Sequence, residues 1–307
     1  MQPTMKQIRY FIATADSGQV SQAANAMHVS QSAITTAIKS LEEMLNVNLF
    51  VRQPHGMMLT YEGNQFYQHA THIVKEIEEA MLLSHRSSNQ VQGVIRLAMS
   101  YTVAGYFVPP YLTRFQRSYP KVDVKLVEAT RSEIEEGVVS GDYDLAFMLT
   151  SNLINQEDIS FQTLLSSPRR LWVSSSHPLL ENKLATFHDV AQYPYIMLTV
   201  DEASNTAQRY WNQTPYQPNT IFRTSSVESV RSLVANDYGV TILSDMVYRP
   251  WSLEGRRVEV RPLADHVPDM EVGLVWSRKR ERSTAVAAFC EFMEMSVSPN
   301  QDLMNRY

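Results

Sequence analysis

Between Thr60 and about Ser87, Phe66, Ala70, Ile73, Ile77, Ala80 and Ser84 follow alternating steps of four and three. That is the 3.5-residue period of a coiled-coil seam. The remaining face carries Glu62, Gln65, Gln68, Lys75, Glu76 and Glu79. As one helix, ~28 residues would span roughly 42 Å. A stripe on so long a polar helix needs cover, either from its own domain or from a second copy. Self-pairing through Phe66, Ala70, Ile73, Ile77 and Ala80 is the better supported. Thr60 is placed to cap the helix, and Ser87-Ser88-Asn89-Gln90 reads as a hinge after it. The arm therefore divides the chain in two.

The segment before the arm has the punctuation of a small helical domain. Thr4-Met5-Lys6-Gln7 is a capping box, followed by Ile8, Phe11, Ile12 and Ala15 at helical spacing and by Gly18 as a stop. Ser21 is expected to cap a short second helix with Ala23, Ala24 and Met27, and Ser30 a third. The third helix has an inward stripe of Ala33, Ile34, Ala37, Ile38, Leu41 and Leu45. Its other face, Gln31, Ser32, Thr35, Thr36 and Lys39, repeats the same spacing. Short hydroxyl and amide side chains with one cation suit base edges and phosphates in a major groove; a plain solvated face is the alternative. Leu49 to Arg52 and Met57 to Leu59 flank Gln53-Pro54-His55-Gly56, which reads as a hairpin. Arg52, Pro54 and His55 could then reach a phosphate or a minor groove. Ser21 and Gln22, at the start of the second helix, complete the candidate DNA contacts.

From Ile8 to Ala70 the chain resembles the N-terminus of LysR-type transcriptional regulators. The similarity rests on Phe11, Gly18, Ser21, Ala23-Ala24, Val29-Ser30-Gln31, Ala33-Ile34, Ile38, Leu41-Glu42, Leu49-Phe50, Arg52, Leu59-Thr60 and Gly63. Gln19, Met27, Ser32 and Thr35 depart from common family residues, and the last two lie on the reading face, so operator preference does not transfer in detail. The resemblance implies a winged helix-turn-helix at 1–60, a linker and dimerisation helix at 61–88 and a hinge at 89–91. It also implies a linker-helix homodimer, commonly doubled to a homotetramer, on a roughly palindromic double-stranded DNA site. RNA polymerase stands as a further candidate partner.

After residue 92 the chain alternates strand and helix. Strands are expected at Val94–Met99, Val122–Leu126, Asp144–Met148, Leu171–Ser174, Tyr195–Leu198, Ile221–Thr224 and Val240–Leu243, with helices after Thr130 and near 202–213 and 226–236. The family similarity continues more loosely through Gly93 to Met99, Tyr119-Pro120, Asp144-Leu145-Ala146, Val234 to Leu243 and Val272 to Trp276. It implies two Rossmann-like lobes of the periplasmic-binding-protein type, lobe I at 92–163 and 267–300 and lobe II at 164–266, with a small-molecule effector between them. Ligands of open α/β sheets sit beyond the carboxyl ends of strands. That rule selects Ser100, Tyr101 and Thr102, then Glu128 and Thr130, then Phe147, and in lobe II Leu198, Thr199, Thr224 and Ser225. Asp201 and Glu202 add acid to the same rim, or serve the first turn of a helix.

Totals close off other classes. The net charge of −5 and the near-neutral first sixty residues make DNA binding a matter of a few placed cations rather than bulk charge. The single cysteine, Cys290, rules out an internal disulfide and reads as a buried small hydrophobe. No signal peptide or long apolar span appears, which points to the cytoplasm and away from the membrane. The eight histidines are scattered, and neither a nucleophile elbow nor a phosphate-binding loop is present. No catalytic residue, metal or cofactor is expected. Beside an effector-controlled regulator, the live alternative is a DNA-binding regulator whose C-terminal domain only oligomerises. An enzyme and a free small-molecule binding protein fit less well.

Overall fold

The computed structural model describes residues 2–53, 56–83, 91–181 and 184–297. The chain forms two compact units that divide at residues 88/89. Pro54 and His55, Ser84, the hinge through residue 90, and residues 298–300 of the expected lobe I lie outside the described residues, as does the side chain of Ala80.

The first unit runs α1 (Met5–Ser17), α2 (Val20–Ala26), α3 (Gln31–Leu45), β1 (Phe50–Gln53), β2 (Gly56–Leu59) and α4 (Tyr61–Leu83). Thr4 starts α1 with a reciprocal capping box, its amide donating to Gln7 Oε1 at 2.8 Å. Gly18 ends the helix in the left-handed region at φ 65°, and its carbonyl accepts from Met57 N–H at 2.7 Å. That bond to the hairpin fixes the α1–α2 turn, so α2 begins at Val20 with Gln19 as its cap. Ser21 therefore lies inside the helix and does not cap it, a correction to the expectation. Ser30 does cap α3, accepting from Ala33 N–H at 3.2 Å. Ile34, Ile38 and Leu41 are buried, but Leu45 is 37% exposed, because α3 closes at Asn46 in the left-handed region and the chain turns away.

The unit's core is centred on Phe11, whose ring lies 5.3 Å from Phe50 and 4.9 Å from Phe66. Thr60 starts α4 by accepting from Gly63 N–H at 2.8 Å while donating to Asn48 O at 2.7 Å. Gly63 passes so close to the hairpin that a Cβ there would stand 2.0 Å from Leu49 O. On α4, Phe66, Tyr67, Ala70 and Val74 pack into this core. They share one face at helical spacing. The expected seam is therefore split: Ala70 is fully buried and Phe66 is committed to Phe11, while Ile73 and Ile77 remain 42% and 38% exposed.

The second unit runs β3 (Gly93–Met99), α5 (Tyr101–Tyr106), α6 (Pro109–Ser118), β4 (Val122–Glu128), α7 (Arg131–Ser140), β5 (Leu145–Leu149), β6 (Ile159–Ser167), β7 (Arg169–Ser174), α8 (Phe187–Ala191), β8 (Pro194–Leu198), α9 (Ala203–Trp211), β9 (Asn219–Thr224), α10 (Val227–Ala235), β10 (Thr241–Ser244), β11 (Val258–Arg261), β12 (Met270–Ser277) and α11 (Thr284–Val297). Its first sheet has the order β4-β3-β5-β12-β6. There β3 is parallel to β4 and β5, and β12 is antiparallel to both neighbours. The second lobe has an antiparallel group β10-β7-β11 and a parallel pair β8-β9, joined by a bridge between Tyr195 and Val240. These are the two α/β lobes.

β6 stays in the first sheet to Ser167, so the boundary expected at 163/164 falls inside a strand; the chain crosses between lobes at Pro168 and returns between β11 and β12. At the crossing Ser244 Oγ lies 2.8 Å from Ser167 Oγ, which also accepts from Met246 N–H at 3.0 Å. Ser244 Oγ also accepts from Met246 N–H at 3.1 Å, so its side chain knits the two chain passages. Cys290 is buried on α11, and burial pushes its thiol up. Among the described residues no helix is long and apolar enough to cross a membrane.

Candidate nucleic-acid interface and effector cleft

On α3 the inward residues take the core side, which leaves Gln31, Ser32, Thr35, Thr36 and Lys39 exposed together. Ser32 Oγ lies 2.9 Å from Ser30 Oγ, and the Thr35 hydroxyl donates to Gln31 O at 2.9 Å. The Thr35 proton is thereby used, and its oxygen faces outward as an acceptor. Lys39 pairs only loosely with Glu43, at 3.8 Å with both side chains largely in solvent, an arrangement worth little and easily exchanged for a phosphate. Gln22 is exposed and donates to Gln19 Oε1 at 3.2 Å. Arg52 is exposed on β1 of the wing.

An open groove of about 520 Å³ adjoins this face, between the start of α1 and α3. Thr4, Lys6, Gln7 and Tyr10 line one wall, and Ser30, Ser32, Thr36 and Ser40 the other. Gln7 Nε2 donates to Ser40 Oγ at 3.1 Å across it, and Lys6 Nζ sits 5.7 Å from the centre of the Tyr10 ring. Lys6, in the first turn of α1, lies beside this face, although it is not among the expected contacts.

In the second unit the strand ends do converge, though not through every residue expected. Ser100 is buried as the N-cap residue of α5; its amide donates to Phe147 O at 3.0 Å, but its hydroxyl has no partner among the described residues. Thr102 is buried, and its amide donates to Asp201 Oδ2 at 2.7 Å. Tyr101 is exposed. Glu128 is exposed at the end of edge strand β4, across from Met99. Thr130 caps α7 in a capping box with Glu133, and the hydrogen bonds that its amide and hydroxyl donate to Glu133 hold that carboxyl below its usual range.

Phe147 and Leu198 are corrections. Phe147 is fully buried, with Phe107 and Phe289 at 6.1 and 5.9 Å; it belongs to the core of lobe I. β5 runs one residue further than expected, to Leu149, so the residues at its end are Thr150 to Asn152. Leu198 is likewise buried at the end of β8. Beyond it Thr199 N–H donates to Thr224 O at 2.9 Å, while Thr224 Oγ1 accepts from Ser226 N–H at 3.1 Å. Ser225 is exposed next to them, and Ser226 caps α10.

The cleft is crossed by contacts that strand-end reasoning did not reach. Asn152 Nδ2 donates to Asp201 O at 2.9 Å, Arg131 Nε to Glu202 Oε1 at 3.2 Å, and Tyr106 OH to Glu228 Oε1 at 3.1 Å. Glu135 is buried and accepts from Arg131 Nη1 and from the amides of Ile154 and Asn155, anchoring Arg131. Burial pushes the Tyr106 hydroxyl up. Burial also works on Glu228 in that direction, but its pairing with Arg231 prevails and holds the carboxyl low.

At the crossing, Asp245 is buried beside Arg170, whose Nη2 is 3.0 Å from Oδ2. The approach is electrostatic rather than a directed hydrogen bond, so both carboxylate oxygens lack hydrogen bonds among the described residues. Burial lifts this carboxyl to about 7 against the pull of Arg170.

Comparison with known proteins agrees with the geometry. The profile of the LysR substrate binding domain matches residues 88–297, and that of the bacterial regulatory helix-turn-helix proteins of the lysR family matches residues 5–64. An uncharacterized HTH-type transcriptional regulator of Methanocaldococcus jannaschii is 27% identical over 299 residues, covering 95% of this chain and 99% of that one. The crystal structure of HinK, a LysR family transcriptional regulator from Pseudomonas aeruginosa, is similar with a TM-score of 0.63 at 24% identity, over 97% of this chain and 100% of that one. Full-length CbnR complexed with its target DNA is similar with a TM-score of 0.56 at 20% identity, over 96% of this chain and 100% of that one. The two structures share the fold.

Proposed function

Because the chain belongs to the LysR family of DNA-binding transcription regulators, non-enzymatic proteins with an effector-binding C-terminal domain, we propose how its own residues divide that work. The α3 face of Gln31, Ser32, Thr35 and Thr36 reads base edges in a major groove, and Lys39 and Arg52 hold phosphates. Ser21, Gln22, Ser30 and the wing tip add backbone contacts. The site is roughly palindromic, since a symmetric pair of chains places two reading helices on two half-sites. Ile73 and Ile77, exposed on α4, support the pairing. Apolar edge strands support doubling to a tetramer, with Leu126 and Val127 on β4 and Ile221 and Phe222 on β9 all exposed. The regulator works in the cytoplasm, where RNA polymerase is a further partner.

A small molecule enters between the lobes and binds among Ser100, Tyr101, Thr102, Glu128, Thr130, Thr199, Thr224 and Ser225. It acts by favouring one lobe arrangement over another. The observation that carries this half is the Ser100 hydroxyl, buried at a strand end with no hydrogen-bond partner among the described residues. Buried polar groups are paired in the working state, and a ligand group would pair this one.

Thermal unfolding of the full chain against amines, amino acids, organic acids and aromatic metabolites tests it. A ligand at a hundred times its Kd should stabilise the fold by about 2.7 kcal/mol, and the shift should vanish in Ser100→Ala. No stabilisation by any compound would favour a C-terminal domain that only oligomerises.

A further inference from the structure

Two consecutive residues of lobe II hold three separate elements of lobe I. Asp201 and Glu202 follow β8. The Asp201 carboxylate accepts from Thr102 N–H on α5 at 2.7 Å, and the Asp201 carbonyl accepts from Asn152 Nδ2, just after β5, at 2.9 Å. The Glu202 carboxylate accepts from Arg131 Nε on α7 at 3.2 Å. Each lobe I partner is itself secured. Thr102 is buried, Arg131 is fixed by buried Glu135, and Asn152 Oδ1 lies 3.4 Å from Thr206 Oγ1, which brings α9 into the same junction.

The backbone of the pair is unusual. Asp201 has φ 49° and ψ 41°, and Glu202 has φ 57° and ψ 23°. Left-handed conformations are unfavourable for residues with a Cβ, and Glu lacks the local bonding that eases Asn and Asp into them. Two in succession persist only where surrounding contacts hold them. The turn is closed locally by Ala203 N–H donating to Val200 O, and the three bonds to lobe I hold the pair from outside. The lobe contacts add to that local closure, so losing them weakens the hold on the left-handed pair.

We propose that Asp201 and Glu202 form a latch that fastens lobe II onto lobe I. The Asp201 carboxylate occupies the backbone amide of Thr102, one of the residues assigned above to the effector. This role as an internal competitor rests on the proposed effector cleft. An effector group that takes the Thr102 amide must displace Asp201, which frees the strained pair and loosens the grip of lobe II. The latch converts occupation of one amide into a change of lobe arrangement.

The test needs no effector. Hydrogen–deuterium exchange of the full-length ligand-free protein compares wild type with Asp201→Ala. Exchange at the Thr102 amide should rise at least tenfold, while amides of the neighbouring core strand β3, such as Leu97 and Ala98, keep wild-type protection. Asp201→Asn keeps the side-chain shape and an acceptor oxygen, and should give a smaller rise at the same amide. It also carries the test if the alanine variant does not fold. Wild-type exchange at Thr102 in the variant measured, or an equal rise at Thr102 and along β3, would overturn the latch. Neither result bears on whether a ligand stabilises the wild-type chain, so the latch and the effector cleft can fail separately.

Discussion

The ring of Phe66 meets the ring of Phe11 edge-on, 4.9 Å between centroids, and this contact gives α4 a double duty. The face with Phe66, Ala70 and Val74 packs into the first unit, and the exposed flank with Ile73 and Ile77 is the one proposed above to pair with a second chain. The two faces should separate by mutation. Phe66→Ala should lower the unfolding stability of the first unit by ~2–3 kcal/mol, somewhat less than a fully buried Phe loses. Ile73→Glu with Ile77→Glu should leave that stability nearly unchanged and weaken self-association at least tenfold, or ~1.4 kcal/mol. Denaturant unfolding paired with sedimentation equilibrium reads both quantities. A Phe66→Ala protein of wild-type stability would return Phe66 to the intermolecular seam.

The reading face makes a prediction of its own. Thr35→Ala with Lys39→Ala removes an acceptor aimed outward and a weakly paired cation, neither of which supports the core. Affinity for a duplex selected from random sequence should fall to the level of non-specific DNA, with self-association intact. The slope of log affinity against log salt should flatten by about 1 for each lost phosphate contact. Gel-shift titration at several salt concentrations measures both. Unchanged affinity would show that another surface reads the DNA.

The first unit was legible because its signals are local. A capping box spans four residues, and the stripe and reading face of α3 repeat within one helix. The seam of α4 misled because the 3.5-residue pattern also contains Phe66 and Ala70, two positions that its own domain claims; Tyr67 and Val74 outside the pattern were the clue. In the second unit, the end of β5 was misplaced because Leu145 to Leu149 is buried throughout, and an unbroken apolar run does not mark where a strand stops. β6 was overlooked because Ile-Ser-Phe-Gln-Thr-Leu-Leu-Ser-Ser mixes small polar residues into a strand with a bulged register to β12. The cross-lobe contacts had no local signal at all: Thr102 and Asp201 are 99 positions apart. Asp201 and Glu202 read equally well as the acidic first turn of a helix.

Asp245 gives the lobe crossing a dependence on pH. Burial is the main cause of its rise to about 7, Arg170 opposes that rise, and Asp269 adds to it. The ordinary value, near 3.9, applies to the unfolded chain. Between these values the folded protein keeps a proton that the unfolded chain releases, so unfolding becomes easier as pH increases. The contribution of this group is complete below about pH 4 and is lost as pH rises through 7. Asp245→Asn cannot ionise and should escape that loss. Its stability relative to wild type should increase by about 2 kcal/mol between pH 5 and pH 8, because removing a poorly compensated buried charge outweighs the Arg170 attraction. Urea unfolding of both proteins at the two pH values cancels contributions from groups they share. A difference that stays constant with pH would mean that Asp245 is already ionised at pH 5, with Arg170 compensating its burial in full.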